Sequence, residues 1–341
     1  MRQKRKLKRN KIRNSLITIE DAKQVVIKIK ALEGMSKITI HLYDLVFNDL
    51  KLYFGENKML HDIEVNEARE FLSWQLNEKI LHENSNIRQI STKGLKPSSA
   101  NTYLIKLRSA FSLLIKEGFL TKNVFHEIKN IKFPQKKVKT LTAEEIKQIL
   151  NSFNKDYYSQ FRSYVALHTL LDSMGRVNEV LHLREEDIDF ERRSITFQNT
   201  KSNKFRIVPI SRKTVKLLQE LIVENNETFE SEYIFLTNHG KRLCADTFRT
   251  HVNRILKENN IDKQFHPHLL RHTASEMFLR QSGNIRVLQQ ILGHADLTIT
   301  SRIYAHVLDS TIRDQHDKYS PINLIDESTK KVVKRHKNRK K

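Results

Sequence analysis

The chain has 341 residues and a single cysteine, Cys244, so it cannot form an intramolecular disulfide, and a reducing, cytoplasmic location is expected. No stretch reaches the roughly 18 to 20 consecutive apolar residues that a membrane span requires, and no membrane partner is expected. The basic N-terminus has no apolar segment behind it, so no secretory signal is expected there. No internal repeat is visible. Acid is missing from both ends: residues 1–14 carry eight Lys/Arg and no Asp/Glu, and so do residues 329–341.

What is present is a globular composition with a polar bias, 38% hydrophobic and 29% charged. The length suggests two domains, each with its own core. Sixteen of the +22 formal charges sit in the two tails. Such dense like-charge blocks repel unless an anion neutralises them. They are read as arms that contact nucleic-acid phosphates and release counterions, with solvated tails as the alternative.

Apolar periodicity predicts helices over 18–33, 36–54, 65–84 and from about 97 to 117, which make an all-α first unit over 16–132. A basic arm (1–15) precedes it, and a Pro/Lys-rich linker (133–140) follows. A second unit over 141–325 opens on a capping box, Thr142 with Glu145, and ends in a basic tail (326–341). It mixes helices over 141–151, 157–173, 212–224, 245–258, 269–281, 284–292 and 298–307 with two strands, 194–198 and 205–210, joined by a polar turn. Tyr233–Leu236 is a further candidate strand. The expected class is mainly α with a small antiparallel β-sheet (α+β).

Three motifs in the second unit carry chemistry. In MGRVNEV (174–180) a guanidinium fork at Arg176 suits two phosphate oxygens, and Glu179, three residues on along a helix, can orient it. A surface ion pair is the plain alternative. In HPHLLRHTAS (266–275) the spacing puts His268 and Arg271 on one helix face, for proton handling and a second phosphate contact. His272 is read as a supporting, packing residue. A zinc reading of His266, His268 and His272 lacks a completing ligand, so no metal is expected. In LGHADLTITSRIYAHV (292–307) Gly293 ends a helix in left-handed geometry and presents His294, and Tyr304 follows ten residues later with an oxygen nucleophile. A phenol is protonated at neutral pH, so it needs a base and a phosphate already polarised by cations. Leu297, Ile299 and Ile303 are expected to pack the tyrosine helix onto the domain. Lys201 lies in the strand–strand turn with Lys204 as its rival, and the Thr-Lys register, with Arg206 and Pro209 downstream, favours Lys201.

The ordered set Arg176, Lys201, His268, Arg271, His294, Tyr304 resembles the catalytic domain of the tyrosine recombinases, the phage-integrase family, over about residues 140–310. Met174-Gly175 departs slightly from the glycine-hydrophobe pair common there. The all-α first unit resembles the SAM-like core-binding domain that clamps DNA in that family. The resemblance implies a DNA strand transferase of double-stranded DNA that needs no cofactor, metal or ATP. Tyr304 would form a 3′-phosphotyrosyl link. Arg176, Arg271 and His294 would stabilise charge on the phosphate, with His268 assisting proton transfer and Lys201 protonating the leaving 5′-hydroxyl. It further implies a homotetramer on two DNA sites, with room for accessory DNA-bending or directionality factors, and the segment from Asp309 to Leu324 docking on a neighbouring protomer. Integration or excision of a phage, genomic island or transposon is the expected role. A chromosome- or plasmid-dimer resolvase, a type IB topoisomerase-like enzyme and a non-catalytic architectural protein are the alternatives.

Overall fold

The structure is a computed structural model that describes residues 17–81, 92–134, 140–199, 204–281 and 283–293, together with the helical positions Thr298, Thr300, Ser301, Tyr304 and Val307. Both basic tails, the Asp309–Leu324 segment, most of the linker, Lys201, His294, Leu297, Ile299 and Ile303 lie outside the described residues. The chain divides into two compact units, Met1–Lys136 and Lys137–Lys341. Among the described residues no helix is long and apolar enough to cross a membrane.

The first unit holds α1 (Ile19–Leu32), α2 (Lys37–Phe54), α3 (Val65–Asn77) and α4 (Pro97–Lys116). Side-chain oxygens start two of them: Thr18 accepts from the Asp21 N–H and Ser36 from the Thr39 N–H. Phe47, Phe71, Phe111 and Phe125 are fully buried between the helices, with Phe111 and Phe125 edge to face at 4.8 Å. The third helix is shorter than its periodicity predicts. After Asn77 the chain turns, and β1 (Ile80–Leu81) pairs antiparallel with β2 (Thr92–Lys93). Lys79 leaves the helix to place its ammonium 2.6 Å from an oxygen of Asp49, a buried carboxylate on α2 that also accepts from Gln75 at 2.9 Å. A buried carboxylate needs these partners, and that requirement overrides the helical pattern.

The second unit runs α5 (Ala143–Asn151), α6 (Tyr158–Ser173), α7 (Val177–Leu181), β3 (Ile188–Asp189), β4 (Ser194–Asn199), β5 (Lys204–Pro209), α8 (Arg212–Thr228), α9 (Ala245–Glu258), α10 (Pro267–Arg280) and α11 (Ile285–Leu292). The Thr142–Glu145 capping box is formed in both directions. α6 is buried on most sides and packs on α7, α8 and α10. The strands form one antiparallel sheet in the order β3-β4-β5. Tyr233 and Leu236 make only isolated bridges, to Arg184 and Arg242, rather than a strand. In β5 the alternation sends Val208 inward and leaves Phe205 and Ile207 exposed on the other face. The register pairs Phe197 with Arg206, which places an arginine on the inward face. A separate small core gathers Met174, Ala274, Leu279, Leu288, Leu292, Tyr304 and Val307.

Candidate active site

The site assembles where α6 ends. Met174 takes the left-handed conformation (φ 50°) that closes the helix, while its side chain stays buried in the small core. This accounts for the Met-Gly order: the left-handed position falls on Met174, and Gly175 is needed for space. A Cβ there would lie 2.9 Å from both Phe197 and Val180. Arg176 then precedes α7 in an extended conformation (φ −73°, ψ 146°), not on the helix as its spacing suggests. Glu179 reaches back to it and accepts from the Arg176 main-chain N–H at 2.8 Å and from its guanidinium at 2.9 Å.

The same carboxylate is gripped from the sheet. Arg206 donates through both terminal nitrogens, to Oε1 at 3.0 Å and to Oε2 at 2.6 Å. Burial alone would raise the Glu179 pKa, but the Arg206 guanidinium and the Arg176 N–H outweigh it and hold the carboxyl down at about 2. Arg206 also donates from Nε to the Ile291 carbonyl at 2.9 Å and lies 4.7 Å from the Phe197 ring centre.

Pro267 opens α10 at a position where its missing N–H costs nothing. His268, in the first turn, is exposed, whereas Arg271 is buried, so the two motif residues share a helix but not an environment. Arg271 donates to the Met174 carbonyl at 2.6 Å and to the Leu292 carbonyl at 2.7 Å. It therefore ties the end of α6 to the end of α11, where a cation also suits the helix dipoles. Burial, then the neighbouring Arg176, lowers its pKa to about 10, with Glu179 opposing, and it stays charged at neutral pH. α11 stops at Gly293 (φ +66°), whose ideal Cβ would meet the Arg206 side chain at 2.9 Å. Two arginines from different elements thus hold the last carbonyls of α11, immediately before His294.

Tyr304 is buried, and its hydroxyl lies 3.2 Å from Nδ1 of His272. Burial raises the phenol pKa, while a hydrogen bond with Ser275 and the charge of Arg271 oppose it. Burial, reinforced by His268 and Arg271, lowers the His272 pKa and favours the neutral ring. Of the residues the sequence pointed to, the structure brings Arg176, Glu179, Arg271, His272 and Tyr304 into one neighbourhood. Among the described residues no three His, Cys, Asp or Glu side chains are gathered as a metal site. Arg206 and Ser275 were not anticipated. The inward alternation of Val208 and Ile210 was a signal for Arg206, because it puts position 206 on the same face.

A buried tyrosine, a half-buried histidine on its hydroxyl and two arginines close enough to feel each other's charge thus lie in one neighbourhood. Residues 139–311 match the model of the phage integrase family. The chain belongs to that family, the tyrosine recombinases, whose members are DNA strand-transferring, site-specific recombinases. Among curated relatives, tyrosine recombinase XerD of Listeria innocua serovar 6a is 26% identical over 299 residues, covering 85% of this chain and 94% of that protein. Tyrosine recombinase XerC of Thermodesulfovibrio yellowstonii is 29% identical over 307 residues, covering 88% and 95%. The fold is similar to that of the Tn1549 transposon integrase in complex with a circular intermediate DNA (TM-score 0.70, 19% identity, 89% of this chain and 100% of that chain). It is also similar to the lambda integrase tetramer bound to a Holliday junction (TM-score 0.63, 19% identity, 84% and 79%).

Proposed function

We propose that this protein is a site-specific tyrosine recombinase that cuts and rejoins double-stranded DNA through a 3′-phosphotyrosyl intermediate. The observation that carries this reading is the Tyr304 hydroxyl on His272, beside the buried Arg271. Tyr304 attacks the scissile phosphorus and the bond to the 5′-oxygen breaks. A neutral His272 is placed to take the phenolic proton, with His268 assisting from the first turn of the same helix. Arg176, Arg271 and His294 stabilise charge on the non-bridging oxygens. Lys201 gives a proton to the departing 5′-oxygen. A 5′-hydroxyl from a partner strand then reverses the step, so the backbone energy is kept in the covalent link and no ATP is consumed. The first unit clamps the duplex, the basic ends contact its phosphates, and four protomers act on two sites inside a bacterial cell, with accessory DNA-bending or directionality factors as further partners.

The role we assign is integration or excision of a mobile element. The likeness to a transposon integrase in fold and the basic arm support it. A dimer-resolving role is the second reading, favoured by the similarity to XerC and XerD over most of their length. Strand exchange between two differently labelled duplexes tests the proposal. Exchanged products support a recombinase, relaxed circles alone would assign a topoisomerase, and binding without either product would assign an architectural protein. Element ends recombining with a chromosomal target, rather than two directly repeated chromosomal sites, supports the mobile-element role.

A further inference from the structure

We propose that Arg206 is a positioning residue for cleavage: it supplies the counter-charge that occupies Glu179 and so keeps the Arg176 guanidinium available to the phosphate. This rests on the reading of Arg176 as a phosphate ligand. Glu179 accepts from four donors, two on Arg206 and two on Arg176. The Arg206 and Glu179 side chains are only 12% and 15% exposed, against 41% for Arg176. The closed, bidentate pair is therefore Arg206–Glu179, and Arg176 is the open member of the triad.

The charge balance follows from that geometry. Two guanidiniums and one carboxylate leave one net positive charge, and it resides on the more exposed arginine. Without Arg206, Glu179 pairs with Arg176 alone, cancels its charge and draws its fork away from an incoming anion. Arg206 can hold its place because three elements fix it. The strand register faces it inward against Phe197, the Ile291 carbonyl accepts from Nε, and Gly293 leaves room for its methylenes. A lysine could keep the charge but not the two-pronged contact.

The test uses the full-length protein and a nicked duplex carrying a sequence that the wild type cleaves covalently. Arg206→Gln is expected to bind this DNA within about threefold of wild type and to cleave it about 10²-fold more slowly, the loss typical of one preorganised charged contact. On a duplex whose scissile phosphate carries a methyl in place of one non-bridging oxygen, the negative charge is gone, and the deficit is expected to shrink at least about tenfold. Arg206→Gln combined with Glu179→Gln removes the competing carboxylate and is expected to cleave faster than Arg206→Gln alone. Arg206→Lys is expected between Gln and wild type, and it keeps the cation should the glutamine variant unfold. Equal deficits on the charged and the neutral phosphate, in a folded variant, would overturn the inference. So would a double variant no faster than Arg206→Gln. A wild type that forms no covalent adduct on any duplex would instead overturn the reading of the site on which the inference rests.

Discussion

Glu179→Gln should lower the stability of the second unit at neutral pH, and the loss should disappear in acid. A carboxyl that ordinarily titrates near 4.5 and here titrates at about 2 has its charged form favoured by roughly 3 kcal/mol in the folded state. The sign follows from the depressed value. The stabilisation is complete above pH 4.5, falls as the pH drops toward 2, and is absent below that. Glutamine has no charge to hold, so at pH 7 the variant should be less stable by about 3 kcal/mol. For a unit spanning residues 137–341 that corresponds to a fall in Tm of roughly 6–12 °C. Urea unfolding followed by circular dichroism at pH 7, 5, 4 and 3 measures the difference between the two proteins. A difference under about 1 kcal/mol at pH 7, or one that persists undiminished at pH 3, would mean that the two arginines do not stabilise the carboxylate.

Other outcomes follow from the same contacts. Arg271→Ala strips the donors from the Met174 and Leu292 carbonyls and should cost about 3 kcal/mol by denaturant unfolding, as well as abolishing cleavage. Gly293→Ala places a Cβ at a left-handed position against Arg206 and should destabilise by about 1–2 kcal/mol in the same assay. His168 and His251 are each held down at about 4, mainly by burial, and are neutral in the folded protein. The unfolded chain takes up these protons first, so stability should decline as the pH falls from about 6.5 toward 4. Urea midpoints of His251→Gln should fall less over that range than those of wild type, and parallel curves would contradict this.

The parts of the fold legible in the sequence were those set by local rules. Thr142 with Glu145 marked a helix start, and the β4–β5 hairpin stood out by its alternation around a polar turn. What escaped depended on distant partners. α3 ends at Asn77 because Lys79 reaches Asp49 on another helix, and no periodicity encodes that. Ile188–Asp189 is too short to register as a strand until β4 pairs with it. At the site, the motif spacing pointed to Arg176, Glu179, Arg271 and Tyr304, each in a short pattern, and the structure brings these four together. The spacing misplaced Arg176 on a helix, and His272, expected as a supporting or packing residue, lies against the tyrosine hydroxyl. Arg206 is 27 residues from Glu179 and 85 from Ile291, so its bonds to both appear only once the sheet register and the end of α11 come together.

Trapping the covalent intermediate and identifying its bond tests whether Tyr304 is the nucleophile. Purified protein is incubated in EDTA with nicked duplexes carrying candidate recombination sites, then denatured, digested and sequenced by mass spectrometry beside Tyr304→Phe. A DNA 3′-phosphate on Tyr304, a free 5′-hydroxyl on the released strand and no adduct with the phenylalanine variant are expected. An adduct on a different residue, a 5′-linked phosphate, or an undiminished adduct in Tyr304→Phe would contradict this.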